Sequence, residues 1–437
     1  MPFNEIIGTE AGEDLSGTAV ADRIVAGAGD DAVDGYEGAD LVFGQDGDDL
    51  ISAGAGNDTV YGGAGNDRIY ASFVSALDTD VVYGGGGDDL IAINSPNGGA
   101  VYGGAGFDTL AMILSIDDAG FAIALPPADG SALTNPGGLL LASIEALSIS
   151  LGRGDDTVTG GRFADHIEVR SGANVVEAGA GDDYIAYVAG ATNHIAGGSG
   201  IDTLHVEYTG ADALVLSVTD GSVSDGFGSV ITGADHYEVY GSSGDDQVQL
   251  GGRADVFGGS LGNDRAEGRD GADTLLGGGG ADSLDGGNGD DRLLGDYGDD
   301  SLQGGVGHDL LRGGAGADTL AGGAYRDVLR GGGGADVFRL DSGAAAADTL
   351  RDLLSGTDRI EIDVTLIGYR LALGAVDAGH LAFGRAGNAD PQFVYLADAN
   401  SNGRLYWDSN GSDAGGRSLI AVLYGNPLLD AGDLFIV

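Results

Sequence analysis

Gly313-Gly314-Ala315-Gly316-Ala317-Asp318-Thr319-Leu320 decides the fold. A glycine-rich turn leads into an aspartate, and a lone leucine follows two positions later. The same order recurs at nine-residue steps around it, at Asp246, Asp255, Asp264, Asp273, Asp282, Asp291, Asp300, Asp309, Asp327 and Asp336. Its apolar members include Leu275, Leu284, Leu293, Leu302, Leu311 and Leu329. Further out, a first run holds Asp22, Asp31, Asp40, Asp49, Asp58 and Asp67, then, after a gap, Asp80, Asp89 and Asp108. A middle run holds Asp156, Asp165, Asn174, Asp183, Asn193 and Asp202, with one ten-residue step. A period this short marks a repeat solenoid. Glycine allows φ > 0 in each turn, and strand alternation points the apolar residue inward. One unit cannot bury that residue alone, whereas stacked units build an all-β roll with a thin core. Two units make one coil, so residues two repeats apart, such as Asp282 and Asp300, lie about 4.8 Å apart along the stack. Carboxylates stacked that closely need positive charge between them. Oxygen-only ligands, with glycine carbonyls beside the carboxylates, suit calcium rather than zinc or copper.

The unit Gly62-Gly63-Ala64-Gly65-Asn66-Asp67-Arg68-Ile69-Tyr70 resembles the calcium-binding nonapeptide of RTX (haemolysin-type) proteins. The resemblance implies a right-handed parallel β-roll, with calcium held in each turn by the sixth-position acids and neighbouring carbonyls. All the aspartates named above are then expected metal ligands, with roughly 13–16 Ca2+ ions in total. Glu13 in the first unit, Asn174, Asn193 and the acid-free unit near Gly99 depart from the pattern. Those turns are expected to bind weakly or not at all.

Composition agrees with cations as partners. The chain has 437 residues, 69 acidic and 19 basic, with a net charge of −50 and 86 glycines. All the basic residues are arginine, which removes the lysine of phosphate loops and Schiff bases. Nucleic acid would be repelled. Cysteine is absent, so there is no disulfide frame and no thiolate metal site. The start, Met1-Pro2-Phe3-Asn4-Glu5, lacks the basic and apolar regions of a secretory leader. The longest apolar run, near Gly137 to Ile144, falls far short of the ~20 residues of a membrane span.

The expected organisation is a first roll block over 1–111, a second over 152–205 and a third over 244–340. Wide-coil insertions over 112–151 and 206–243 separate them, and residues 341–437 form a C-terminal antiparallel cap. The insertions resemble each other: Asp108-Thr109-Leu110 leads to Glu145, and Asp202-Thr203-Leu204 to Glu238. Internal duplication is the simplest account, and both read as wider coils of one solenoid. Asp348-Thr349-Leu350-Arg351-Asp352, with Asp358-Arg359-Ile360, resembles the closing segment of serralysin-type proteins. Asp433-Leu434-Phe435-Ile436-Val437 resembles the acidic-then-apolar end of type I secretion substrates, implying export by that apparatus to the extracellular medium on an uncleaved C-terminal signal. On this reading Ala431 to Val437 serve export and not calcium-driven folding. Asp398-Ala399-Asn400-Ser401-Asn402-Gly403 matches half of an EF-hand loop, but Ser409 stands where the bidentate glutamate belongs.

No credible catalytic motif appears. None of the six histidines begins HExxH, and the one GxSxG, Gly258-Gly259-Ser260-Leu261-Gly262, falls in register with the repeat. Position nine of alternate units carries Phe43, Tyr61, Tyr83 and Tyr102, an outward ladder. Such a ladder either stabilises the roll by stacking or docks a polysaccharide or surface partner. The reading is a secreted, non-enzymatic calcium-binding roll, structural or adhesive at the cell surface or matrix. The alternative is a secreted enzyme or toxin with its site in the wide coils.

Overall fold

Strands alternate with glycine turns along nearly the whole chain, and helix is confined to short segments such as the 3-10 turns Ala378–His380 and Ala431–Asp433. The computed structural model describes residues 3–71, 79–94, 98–114, 121–126, 131–136, 138–219, 221–340, 347–363, 365, 373–383, 391–397, 402–409, 417–425 and 427–437. Two compact units result: Met1–His205 with Gly221–Val223 and Phe227–Ala234, and Val206–Asp220 with Ser224–Gly226 and Asp235–Val437.

The first unit stacks parallel strands. Asp22–Ala28, Leu41–Asp46, Thr59–Ala64, Val81–Gly86 and Ala100–Ala105 form one ladder. Ala32–Tyr36, Leu50–Ser52, Arg68–Ala71, Leu90–Ile93 and Thr109–Ile113 form another. Register is held across the 22-residue step, with Tyr61 opposite Tyr83. Each strand turns at least one apolar side chain inward: Ile24, Val42, Val60, Val82 and Val101 on one ladder, and Val33, Ile51, Ile69, Ile91 and Leu110 on the other, all buried. The second unit repeats this more regularly. Leu275, Leu293, Leu311 and Leu329 stand in one column, and Leu284, Leu302, Leu320, Phe338 and Ile360 in the other. Most strands of its regular repeats run six residues. Thr274–Gly279, for example, runs six residues into the next glycine turn.

The two insertions share a crossover. In the first, Leu140–Ala142 pairs back onto Ala100–Tyr102, while the earlier strand Ala122–Ala124 pairs forward onto Thr157–Thr159. In the second, Val230–Thr232 pairs back onto His194–Ala196, and Val215–Ser217 pairs forward onto Gln247–Gln249. The strand that pairs back carries a short antiparallel partner in both cases.

The expected cap is an antiparallel meander, Gln392–Ala397, Asn402–Asp408 and Arg417–Tyr424. Its last strand pairs in parallel with Asp348–Leu350. Trp407 is buried in it, 5.0 Å from the Phe393 ring. The tail departs from expectation. Leu434–Ile436 is a strand beside Ile360–Ile362, Leu434 and Ile436 are buried, and Asp433 accepts from Ser355 Oγ at 2.6 Å and from the Gly356 N–H at 2.9 Å. These residues therefore contribute to folding, which corrects the reading that reserved them for export. The EF-hand-like match at Asp398 lies mostly outside the described residues.

Candidate metal centres

Every expected ligand aspartate is buried. In each, one oxygen ties two coils together. Asp282 Oδ1 accepts the backbone N–H of Asp264 at 2.8 Å, and Asp300 Oδ1 that of Asp282 at 2.8 Å. The parallel column runs Asp273, Asp291, Asp309 with the same geometry. The first run does likewise through Asp31, Asp49, Asp67, Asp89 and Asp108.

The other oxygen has a different environment. Oδ2 of Asp31, Asp40, Asp49, Asp67, Asp89, Asp108, Asp183, Asp264, Asp273, Asp282, Asp291, Asp300, Asp309 and Asp318 is buried with no hydrogen-bond donor. A buried anionic oxygen without a partner is costly, and so many in register call for cations. Backbone geometry supplies co-ligands. A Cβ on Gly286 would run into Asp291 Oδ2 and lie 2.7 Å from the Gly304 carbonyl oxygen. One oxygen from each of two coils thus faces a shared spot that only glycine leaves open. In the Asp282 turn, Gly278 at φ 106° and Gly280 at φ 139° take the left-handed conformation this requires. Among the described residues no three His, Asp or Glu side chains converge, so a cation here draws heavily on carbonyls, as calcium tolerates.

Electrostatics agrees. Burial pushes Asp67, Asp108, Asp183, Asp264, Asp273 and Asp309 up to about 7; the donated N–H opposes this, and neighbouring carboxylates add to it. Asp40, Asp49, Asp300 and Asp318 reach about 6 for the same leading reason. A bound divalent cation favours the charged form and reverses this direction.

Four expected ligands differ. Oδ2 of Asp22, Asp165, Asp246 and Asp255 already accepts the N–H of the residue four before it: Thr18 at 2.6 Å, Gly161 at 2.8 Å, Ser242 at 2.7 Å and Gly251 at 2.9 Å. Three of these turns carry Val20, Phe163 or Arg253 where open turns have glycine, and their second N–H turns inward. The asparagine turns go further. Asn174 Nδ2 donates to the Gly172 carbonyl and to Asn193 Oδ1, both at 3.1 Å, and Asn193 Nδ2 donates to the Ala191 carbonyl at 3.3 Å. Ser229 Oγ accepts the Asn193 N–H at 3.0 Å and donates to the Ala191 carbonyl at 3.1 Å. Side-chain donors stand where other turns leave anionic oxygens open.

Several residues with the same role escaped the nine-residue spacing. Glu145 Oε2 accepts the Asp108 N–H at 2.9 Å, Asp348 Oδ1 that of Asp327 at 3.1 Å, and Asp358 Oδ1 that of Asp336 at 3.0 Å. Their steps of 37, 21 and 22 residues hid them. The fifth turn position was missed too. Asp30, Asp290 and Asp299 accept backbone N–H groups from the next coil at 2.7–2.9 Å, so this clip runs in the opposite sense along the stack. The signal was an Asp or Asn recurring just before the ligand position.

Comparison with known proteins follows the same residues. The family model of the RTX calcium-binding nonapeptide repeat (4 copies) matches residues 7–42, 16–51, 43–73, 77–92, 150–185, 258–293, 285–320 and 312–344. Over these residues the chain carries RTX calcium-binding nonapeptide repeats. RTX nonapeptide repeats bind calcium. Among solved structures, a subunit of the mannuronan C5-epimerase of Azotobacter vinelandii is 34% identical over 34% of this chain and 78% of its own, with a TM-score of 0.24. The extracellular lipase LipA of Serratia marcescens is 13% identical over 87% of this chain and 67% of its own, with a TM-score of 0.19. No curated protein matches significantly.

Two other sequence features are placed. Ser260 sits at φ 77° in an RTX turn between strands Val256–Leu261 and Arg265–Asp270, without the helix a nucleophile elbow needs. Phe43, Tyr61, Tyr83 and Tyr102 form the expected ladder, with ring centroids 5.0, 4.7 and 4.7 Å apart and planes within 5°. Tyr61 and Tyr83 are covered on both faces by neighbouring rings. A sugar cannot stack on them, so the geometry favours stabilisation over docking there.

Proposed function

We propose that this chain is an extracellular, non-enzymatic roll that folds on calcium outside the cell, with a structural or adhesive role at the cell surface or matrix. The observation that carries this is the column of buried, donor-free Oδ2 atoms facing glycine carbonyls. Aspartates of the open turns are the ligands, and roughly 13–16 ions would cancel over half of the charge. Export through a type I apparatus fits a chain kept open by its own repulsion at low cytosolic calcium. No described helix is long and apolar enough to cross a membrane.

Calcium titration followed by circular dichroism, with native mass counting of bound ions, tests the proposal. The expected result is cooperative gain of β structure at millimolar calcium and loss in EDTA. A spectrum unchanged by EDTA, or fewer than about six bound ions, would sink it.

A further inference from the structure

The outer face of the first unit holds three tyrosines in direct register, Tyr61 opposite Tyr83 and Tyr83 opposite Tyr102. Ring centroids are 4.7 Å apart in both pairs, with planes 2° and 5° from parallel. Parallel strands translate one residue onto the next, so the carbons ortho to one hydroxyl face those of its neighbour. Phe43 continues the stack 5.0 Å from Tyr61 without a hydroxyl. The ring faces are covered, but the edges reach solvent: Tyr61 is 37% exposed, and Tyr83 and Tyr102 are half-buried. Side chains that compete for oxidising equivalents are out of the way. Cysteine is absent, and Trp407 and Met112 are buried. Tyr297 shows what exposure alone provides. It is 73% exposed but stands between Gly279 and Ala315, with no tyrosine on either neighbouring strand.

We propose that this ladder is a site of oxidative cross-linking, where neighbouring tyrosines couple to dityrosine and staple consecutive coils. The oxidant required is a peroxidase with hydrogen peroxide. Each of two phenols gives up one electron and one proton, and the phenoxyl radicals join through a carbon–carbon bond between ortho positions. The ortho hydrogens then move to the oxygens as the rings regain aromaticity, so both hydroxyls survive. In total two electrons and two protons reduce one peroxide to two waters. Radicals held one strand spacing apart meet without diffusing, so the stack, not exposure, directs the coupling. A link from Tyr83 to Tyr61 or Tyr102 closes a loop of about twenty residues, and like a disulfide it restricts the unfolded chain. The oxidising setting rests on the extracellular reading above; the coupling chemistry does not.

The test treats the full chain, dilute and in millimolar calcium, with peroxidase and limiting hydrogen peroxide. Blue dityrosine emission, loss of two hydrogens from the intact monomer, and a cross-linked peptide pair joining Tyr83 to Tyr61 or Tyr102 are expected. Tyr83→Phe keeps the stack but removes the shared partner, so emission should fall about tenfold with an unchanged calcium-induced spectrum. Adding Phe43→Tyr to that variant should restore it through Tyr61, and Tyr297→Phe should change nothing. The linked protein should hold its first coils at calcium about tenfold lower. An unchanged calcium midpoint, links mapped chiefly to Tyr297 or only between molecules, or full emission from Tyr83→Phe would overturn the proposal. Circular dichroism on the same samples separates it from the calcium reading. A chain folded with and without EDTA should link in both media, and one unfolded by EDTA only in calcium. A folded chain that does not link sinks the staple alone.

Discussion

The turns around Asp282 and those around Asn174 have the same strand spacing and the same inward apolar residue two positions on, Leu284 and Val176, yet they close differently. At Asp282 one carboxylate oxygen clips the preceding coil and the other is left without a donor. At Asn174 the second atom is an amide nitrogen, which supplies its own hydrogen bonds to the carbonyl. One backbone thus has two ways to satisfy its turn, by a cation or by a neutral donor. On the proposed function the first makes folding conditional on the medium, whereas the second does not.

Calcium removal should separate the regions most strongly. In EDTA, amide exchange across Thr274–Gly333 is expected to accelerate by orders of magnitude, and that of Val175–Ala180, His194–Ser199 and Val230–Thr232, the strands that follow neutral turns, by much less. Uniform acceleration would erase the distinction.

Substitution comes next. Asp291→Ala removes a clip and an open oxygen, so the calcium midpoint should rise about tenfold or more. Asn174→Ala should cost about 1–2 kcal/mol in urea melts and leave the calcium midpoint unmoved. Equal midpoint shifts would show that the open oxygens are not ligands.

Acidity divides the regions more gently. Asp264, Asp273 and Asp309 lie near 7 in the metal-free fold, against about 3.9 in an unfolded chain. Metal-free folding therefore takes up protons. Its stability is fully present below about pH 4 and is lost as pH rises through 6 and 7. Chelated protein should melt higher at pH 5 than at pH 8. Calcium has the opposite dependence, because it needs the carboxylates charged, so more is required at pH 5 and binding near neutrality releases protons.

The smallest effect is a conversion. Asn174→Asp with Asn193→Asp should add one or two bound ions by native mass spectrometry and make the strand Val175–Ala180 sensitive to EDTA. An unchanged ion count would mean that the local backbone, and not the missing acid, keeps calcium out.

The roll itself was legible because its period is dictated by local rules. A glycine turn, an inward leucine and a stacked aspartate each leave a mark at a fixed offset, and the Tyr61 and Tyr83 stack survived even an irregular step. Which turns stay open was harder to read. It depends on whether the second turn residue directs its N–H toward the aspartate, as Gly161 does for Asp165. The clue, Phe163 in place of glycine, is visible only once that geometry is known. Glu145, Asp348 and Asp358 were hidden because loops of unequal length precede them. The crossed strand order of the insertions could not be read at all, since pairing back or forward leaves the same alternation along the chain.

The sole tryptophan, Trp407, sits in the meander and nowhere in the repeats. Its emission is therefore a clean optical reporter of the cap, while the stacked tyrosines dominate near-ultraviolet dichroism from the first coils. Stopped-flow mixing with calcium, read in both channels at once, gives the order in which the two regions assemble without any label. A tryptophan signal that leads would mean that the cap seeds the coils, and one that lags would mean that it only seals them.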